Sequence, residues 1–276
     1  MHIGKARTIL ITLTIVVVTV LGIARLGAIT FGWPDNDKHP NVGALFFQRT
    51  DTSAPSRLCS GTLIAEDVFL TASHCTAYLD ALDAQGLLAW VGVSFKSAPP
   101  HDAIIRGTHY TNPDYFSLRG IDAGDVGVVL LDEPPSGLEP AELPTANMFD
   151  AWYGVSRREV KDLRFTAVGF GSLGPKFGGG PPVLTPSLGN RYYAYSSFAA
   201  MDKVWLHLLA NEATGDGGTC YGDSGGPNFL WQDGQETNMI AGVTVKGDVM
   251  CVATNVIYRL DTPTARRFLG KFVDLP

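Results

Sequence analysis

Apolar residues cluster along this chain in short runs and do not follow a long helical repeat. Three such runs, residues 68–70, 90–93 and 126–131, are dominated by Val and Leu with Phe or Trp, which suit the pleated surface of a β-sheet. The chain contains 31 glycines and 17 prolines, residues that reverse its direction. The pattern therefore predicts an all-β fold with short strands and frequent turns.

One helix is predicted, close to the C-terminus, over residues 261–269. A capping residue at its start, Pro263 near the first turn and the apolar pair Phe268 and Leu269 favour a short terminal helix. No long amphipathic helix is predicted before it. The length of 276 residues fits two lobes or one large all-β unit.

The first residues have the pattern of a secretory signal peptide. Lys5 and Arg7 precede an uncharged run over residues 9–24, which ends on small residues. This run of 16 residues is shorter than the roughly 20 that usually span a bilayer, and Arg25 ends it. We predict that residues 1–28 comprise a signal peptide and a short pro-segment and that the mature protein is secreted. An uncleaved membrane anchor is the alternative.

The charge of the chain narrows the range of partners. The formal net charge is −6, and removal of residues 1–28 takes away three basic residues and no acidic ones. Such an acidic protein is a poor ligand for nucleic acid, because the phosphate backbone attracts basic surfaces. We expect a soluble extracellular protein without a nucleic-acid partner.

Three short motifs place a histidine, an acid and a serine in that order along the chain. They are residues 71–75 (TASHC), 125–128 (DVGV) and 222–227 (GDSGGP). A serine hydroxyl is a poor nucleophile at neutral pH, so it needs an imidazole to take its proton and a carboxylate to orient that imidazole. The candidate catalytic residues are therefore His74, Asp125 and Ser224.

The order of these three residues argues against two other families of serine hydrolase. Residues 222–226 also fit the G-x-S-x-G turn of α/β-hydrolases, but in those enzymes the histidine follows the serine. None of the six histidines of this chain lies after Ser224. The order of subtilisin would need an acid before His74, where the aspartates lie in no recognisable motif.

Asp125 is the preferred acid because it opens the apolar run over residues 126–131, which would place its carboxylate at the edge of a buried strand. Asp122 and Asp132 are interpreted as loop and turn residues. His74 follows the apolar run 68–70, where we expect a buried strand to emerge into a turn. A zinc site at Cys59, His74 and Cys75 is disfavoured, because the spacing lacks a C-x-x-C pair and a fourth ligand.

These motifs, together with residues 59–64 (CSGTLI) and 168–171 (VGFG), resemble the chymotrypsin/trypsin family of serine endopeptidases from about Ile29 to the C-terminus. The resemblance implies two antiparallel six-stranded β-barrels with the active site between them. Residues 29–150 would form the first barrel, with the histidine and the aspartate. Residues 151–276 would form the second, with the serine, the oxyanion hole, the specificity pocket and the terminal helix.

The resemblance also implies roles around the serine. The backbone N–H groups of Gly222 and Ser224 would form the oxyanion hole. The carboxylate of Asp223 would pair with a new N-terminal amine at Ile29, because residues 29–32 (ITFG) resemble the start of the mature enzymes. His74 would then act as general base, and afterwards as general acid to the leaving amine.

Four cysteines allow three pairings, and the sequence alone does not choose among them. The resemblance implies a Cys59–Cys75 bridge beside the histidine and a Cys220–Cys251 bridge between the serine loop and the pocket wall. Disulfide bonds and an export signal are consistent with each other, because the signal directs the protein to an oxidising compartment, where disulfide bonds form.

Five residues are predicted to shape the substrate pocket by the same resemblance: Gly218, Thr219, Lys246, Gly247 and Val256. Gly218 lies six residues before Ser224, where an acid would select Arg or Lys, so we predict a neutral pocket. The branched side chain of Val256 would make that pocket shallow and favour small or medium apolar side chains. Lys246 at the rim leaves an acidic preference open, and Asp216 is an alternative floor residue.

The sequence thus predicts a monomeric serine endopeptidase that acts on polypeptides and needs no cofactor or metal. Two other functions share these features. An inactive homologue could use the fold for binding, and an esterase or amidase could use the same catalytic residues on another substrate.

Overall fold

The computed structural model describes residues 29–52, 54–96, 103–115, 122–176, 183–185 and 189–276. The described residues form strands β1 to β15, in chain order Trp33–Pro34, Val42–Arg49, Ser56–Leu63, Val68–Thr71, Leu88–Ser94, Ile105–Tyr110, Gly127–Leu131, Arg164–Gly169, Leu173–Lys176, Val183–Thr185, Tyr192–Met201, Trp205–Leu209, Pro227–Gln232, Gln235–Gly247 and Thr254–Arg259. Helix α1 spans Ser73–Asp83 and helix α2 spans Pro263–Leu269. Short 3-10 helices span Asp150–Trp152 and Glu212–Thr214.

The first barrel consists of six antiparallel strands in the order β2-β3-β4-β7-β6-β5, and β5 pairs with β2 to close it. Its interior is filled by fully buried apolar side chains such as Leu45, Phe69 and Val129. Closure removes the exposed strand edges that an open sheet would present.

The second barrel is closed in the same way. Strands β11-β12-β15-β14-β13-β8 form a ring in which β8 pairs with β11, and β1 pairs with the first two residues of β11. Phe165, Phe198 and Ile257 are among the buried residues of its core. The prediction of two antiparallel six-stranded barrels with a short C-terminal helix is therefore confirmed.

The predicted apolar runs lie in β4, β5 and β7, and the C-terminal helix begins at Pro263. The hydroxyl of Thr262 caps this helix by accepting a hydrogen bond from the backbone N–H of Ala265. No long amphipathic helix was predicted before it, and the structure has the 11-residue helix α1 there, which contains His74 in its first turn. Its buried face begins with Ser73, Cys75 and Thr76, so the usual apolar repeat is missing there.

The start of the described chain belongs to the second barrel by its contacts. Thr30 forms a backbone bridge with Gly218, and Trp33–Pro34 pairs with β11, although both lie in the predicted first unit. The boundary between residues 150 and 151 stays a prediction. The predicted signal peptide, residues 1–28, lies outside the described residues. Within the described parts of the chain, no helix has the length and apolar character needed to cross a bilayer.

A buried arginine connects the two barrels. Arg191, just before β11, donates hydrogen bonds to the carboxylates of Asp35 (2.7 Å) and Asp37 (2.9 Å). It also donates to the backbone carbonyls of Val42 and Phe95 in the first barrel, both at 2.9 Å. The guanidinium group is thus surrounded by acceptors from the segments that it joins.

His39 extends this network to β14. Its Nδ1 atom contacts Asp35, and its Nε2 atom lies 2.8 Å from a carboxylate oxygen of Glu236. Burial opposes a charge on the ring, but the hydrogen bonds to Asp35 and Glu236 outweigh burial and raise the pKa of His39. A raised pKa stabilises the fold at low pH, and this contribution is lost as pH rises through the folded-state value.

We expect Arg191→Met to destabilise the protein by about 3–5 kcal/mol, because it leaves the buried carboxylate of Asp35 without one of its cationic partners. Urea denaturation measures the loss as a lower midpoint. Arg49→Met is the matched control, since Arg49 pairs with Asp51 at the surface, where water screens the charges and such pairs contribute little to stability. Equal midpoints for the two variants would contradict the interpretation.

Candidate active site

His74 and Asp125 are joined by two hydrogen bonds. The backbone N–H of His74 donates to Oδ1 of Asp125 (2.8 Å), and the ring Nδ1 lies 2.9 Å from Oδ2. An ionised carboxylate only accepts hydrogen bonds, so Nδ1 carries the proton in the neutral ring and Nε2 is left as the acceptor. This is the tautomer that a general base needs.

The position of Asp125 follows from the pairing of β7 with β4. The two strands bring the start of β7 beside the N-terminal turn of α1, and Asp125 itself is only 6 % exposed. Neither neighbouring acid takes this place. Asp122 accepts a hydrogen bond from the Tyr258 hydroxyl (2.6 Å), and Asp132 is exposed beyond the other end of β7.

The loop that contains Ser224 packs directly against β3 and against the segment that contains His74. The backbone N–H of Ser60 donates to the Ser224 carbonyl (2.9 Å), and Sγ of Cys75 lies 4.0 Å from the same oxygen. A Cβ atom on Gly225 would lie 2.1 Å from Oγ1 of Thr71, and its φ of 77° also favours glycine. The glycine therefore allows the serine loop and the histidine segment to meet.

The backbone beside Ser224 offers free donors. Gly222 has a φ of 97°, and its carbonyl accepts a hydrogen bond from the Ser60 hydroxyl (3.0 Å), which fixes the peptide orientation. Within the described parts of the chain, no group accepts a hydrogen bond from the N–H of Gly222 or Ser224. Two unpaired N–H groups in one tight turn are suited to stabilise an oxyanion.

Asp223 points away from the cleft into the protein. Its carboxylate is fully buried and accepts hydrogen bonds from the N–H groups of Gly171 (2.7 Å) and Cys220 (2.9 Å). Burial raises the pKa of Asp223 to about 7, although these bonds and the charge of Arg57 act in the other direction. A Cβ atom on Gly169 would lie 2.2 Å from this carboxylate, which explains a glycine there.

Comparison with known protein families agrees with this geometry. The model of the trypsin family matches residues 35–266, which is most of the chain. The chain belongs to the trypsin family. Membership supports a serine endopeptidase activity in general, with polypeptides as the substrates.

Both disulfide bonds that the resemblance implied are present, Cys59–Cys75 and Cys220–Cys251. They are typical of members of the trypsin family and of extracellular proteins. The first bond places two sulfur atoms beside His74. These atoms are not thiolates, and Nδ1 of His74 faces Asp125, so the group does not supply the ligands of a zinc site.

Ile29 is completely buried against Ala167 and Ala194 of the second barrel. Thr30 donates a hydrogen bond to the Gly218 carbonyl (2.8 Å) and accepts one from the Gly218 N–H (3.0 Å). Residue 29 therefore occupies an interior position in the trypsin-family fold. Its pairing with Asp223 stays a prediction, since in the full chain the nitrogen of Ile29 belongs to a peptide bond.

A cavity of about 250 Å³ opens beside Ser224. Its lining consists of Thr219, Cys220, Tyr221, Ser224, Thr244, Val245, Lys246, Gly247, Asp248 and Cys251. Three of the predicted pocket residues are in this lining: Thr219, Lys246 and Gly247. Gly218 and Val256 are not, since Gly218 is bonded to Thr30 and Val256 lies in β15 between β12 and β14. A role for these two in substrate selection stays a prediction.

Asp216, the alternative floor residue, lies outside the lining. Its two carboxylate oxygens accept hydrogen bonds from the hydroxyls of Ser197 and Thr214, both at 2.6 Å. The carboxylate is thus used within the second barrel. Its position disfavours the hypothesis that Asp216 selects Arg or Lys.

Two charged residues do lie at the cavity, and both have partners. Asp248 accepts hydrogen bonds from the N–H groups of Val252 (3.1 Å), Ala253 and Thr254 (both 2.9 Å). Burial acts to raise the pKa of Asp248, but these bonds outweigh burial and lower it. The ammonium group of Lys246 lies 4.8 Å from the centre of the Trp205 ring. Sequence reasoning missed Asp248, because its partners follow it within one local turn and form no motif.

A buried polar chain supports the cavity from behind and was also missed. The Thr219 hydroxyl donates to Asn255 (2.8 Å), Asn255 donates to Asn228 (2.9 Å), and Asn228 donates to the Thr244 hydroxyl (3.0 Å). These residues lie on four separate segments, so no sequence spacing reveals them. The chain holds the two lining threonines in fixed positions.

Proposed function

We propose that the protein is a secreted serine endopeptidase that hydrolyses peptide bonds through an acyl-enzyme intermediate. The observation that supports this most directly is the double hydrogen bond between His74 and Asp125, which leaves the ring Nε2 as a base. The packing of the Ser224 loop on the same segment supports the assignment of Ser224 as the nucleophile. Membership of the trypsin family is consistent with this chemistry.

The reaction follows from the chemistry of these groups. Oγ of Ser224 attacks the peptide carbonyl carbon while Nε2 of His74 takes its proton. The N–H groups of Gly222 and Ser224 stabilise the negative oxygen of the tetrahedral intermediate. His74 then gives the proton to the leaving amine, and the C–N bond breaks to leave an ester on Ser224. Water, deprotonated by His74, hydrolyses this ester and restores the enzyme.

Asp125 has a separate task in this scheme. It holds the ring in the correct tautomer and stabilises the imidazolium ion that forms in each transition state. Because Asp125 is largely shielded from water, its charge acts on the ring more strongly than a solvated carboxylate would.

Secretion is supported by the apolar N-terminal run and the two disulfide bonds. We propose that residues 1–28 are removed during export and that the mature enzyme acts as a monomer outside the cell.

A serine-directed fluorophosphonate probe tests the catalytic assignment. It should label Ser224 in the mature protein, and peptide mapping should locate the adduct on residues 222–227. The absence of labelling would indicate a binding homologue. The same protein without the probe is then assayed on a peptide library. Cleavage of the peptides distinguishes a peptidase from an esterase, since only a peptidase cleaves amide bonds efficiently.

We propose that the cavity accepts uncharged side chains, because Gly218 replaces the acid that would bind Arg or Lys and Asp216 is bonded elsewhere. Benzamidine should therefore inhibit poorly, since its buried cation would have no free carboxylate to pair with. Inhibition constants for benzamidine and for an uncharged benzene analogue measure the effect. Much tighter inhibition by benzamidine would overturn the neutral pocket and point to Asp248, the acid in the lining.

A further inference from the structure

Ser73, the residue before His74, is completely buried and uses its hydroxyl in two hydrogen bonds. Its Oγ donates to the carbonyl of Val126 (2.7 Å) and accepts from the backbone N–H of Asn112 (3.0 Å). Both partners are backbone groups with fixed roles, so the direction of each bond is unambiguous. The hydroxyl therefore joins three segments that are distant in sequence.

The hydrogen bond from Ser73 to Val126 fixes the backbone next to Asp125. Val126 directly follows Asp125, and Ser73 directly precedes His74. The two segments are thus connected twice, by the hydrogen bonds of His74 to the Asp125 carboxylate and by the Ser73 hydroxyl to the next carbonyl. Two connections at adjacent residues restrict the rotation of the carboxylate relative to the ring more than either does alone.

The second bond fixes the turn that follows β6. The carbonyl of Asn112 accepts from the N–H of Tyr115 (2.9 Å), and the side-chain oxygen of Asn112 accepts from the N–H of Asp114 (3.0 Å). Burial raises the pKa of the Tyr115 hydroxyl, and the negative charge of Asp125 raises it further. The turn also packs against Gly124, the residue before Asp125, where a Cβ atom would lie 3.1 Å from the backbone nitrogen of Tyr115.

We propose that Ser73 is a positioning residue that holds Asp125 in register with the imidazole of His74. This inference rests on the proposed function, since it assigns a role only if His74 and Asp125 act together in catalysis. Ser73 does not touch the substrate. Its loss should affect the chemical step and leave substrate binding unchanged.

The test compares Ser73→Ala with Thr62→Val. Thr62 is a second fully buried residue of the first barrel, and its hydroxyl has no hydrogen-bond partner in the described structure, so its removal is the matched control. We expect Ser73→Ala to lower kcat about tenfold with an unchanged KM, the loss expected for one hydrogen bond that acts on the transition state. Thr62→Val should keep the kcat of the parent protein.

A purely structural role for Ser73 would leave the pH dependence unchanged. If the carboxylate is held less firmly in Ser73→Ala, the imidazolium ion is less stabilised, and the acid limb of the kcat profile should move to lower pH by roughly half a unit. Ser73→Cys has a similar size with a weaker donor and acceptor, so it should lie between the parent and Ser73→Ala in both measurements. It also provides the comparison if Ser73→Ala does not fold.

Ser224→Ala, measured in parallel, separates the two levels of the argument. If Ser224→Ala is inactive while Ser73→Ala and Ser73→Cys keep the parent's kcat and pH profile, the role of Ser73 is refuted and the proposed function stands. If Ser224→Ala remains active, the proposed function itself fails.

Discussion

Replacement of Ser224 by alanine should lower the rate of peptide hydrolysis by roughly 10⁴-fold or more, the largest effect expected of any single change in this chain. The alanine variant keeps His74, Asp125 and the oxyanion donors but lacks the atom that forms the ester. Only direct attack by water remains, and its residual rate comes from substrate binding and the oxyanion hole.

The fold should survive this change. Ser224 contributes its carbonyl to a hydrogen bond with Ser60, and that group is kept in the variant. Thermal unfolding should give nearly the same midpoint for both proteins, so the loss of turnover reports on chemistry. His74→Ala should cause a similar loss, because the two residues act as a unit.

Turnover is measured with a peptide that the library identifies, under single-turnover conditions, which isolate the chemical step. Ser156→Ala is the control, since its hydroxyl is exposed and bonded only to Glu159 among the described residues. A Ser224→Ala variant with most of its peptidase activity intact would refute the catalytic assignment.

Much of the fold was predictable because its strands are encoded locally. The runs in β4, β5 and β7 are continuous and apolar, as expected for strands that are buried inside a closed barrel. The candidate catalytic residues could be proposed from the sequence because each lies in a short motif. His74, Asp125 and Ser224 could be named from their immediate neighbours and their order alone.

Helix α1 was not predictable from the same pattern. Its buried first turn consists of Ser73, Cys75 and Thr76, which are needed for a hydrogen bond, a disulfide bond and close packing against Gly127. These tasks replace the apolar residues that would have marked a helix. The polar and cysteine residues that the site requires therefore remove the apolar repeat by which a helix is predicted.

Residues that support the site from a distance were missed for a different reason. Ser73 and Asn255 act through hydrogen bonds to segments between 27 and 53 residues away, and no spacing rule connects such pairs. Gly169 could be seen as part of a family segment, but its closeness to Asp223 is a property of the folded chain. Local sequence motifs therefore indicate the candidate reactive residues, whereas the residues that hold them in position are visible only in the tertiary structure.

The second large effect concerns Asp223 and the N-terminus. We expect cleavage after Ala28 to create an ammonium group at Ile29 that pairs with Asp223 and completes the oxyanion hole. Ile29 is buried against Ala167, two residues before Gly169, which lies against the Asp223 carboxylate. The carboxylate in turn holds the N–H groups of Gly171 and Cys220 beside the serine turn.

The pKa of Asp223 gives the physical reason. A shift from 3.8 to about 7 means that ionisation of this buried group costs about 4 kcal/mol more than in water. In the uncleaved chain the folded state retains a proton that the unfolded state releases, so stability falls as pH rises from about 4 to about 7. A buried ammonium partner would stabilise the charged form and remove this loss.

Two proteins in a Ser224→Ala background, one starting at Ile29 and one with residues 25–28 retained, allow this to be measured without self-digestion. Urea denaturation at pH 5 and pH 7.5 should show a loss of stability with rising pH in the longer protein and a smaller loss, or none, in the shorter one.

With Ser224 intact, Asp223→Ala or one extra residue before Ile29 should nearly abolish activity, since either removes the buried ion pair. N-terminal sequencing of the active secreted protein decides the matter, because full activity in a protein that starts at Arg25 or earlier would show that Asp223 uses another partner.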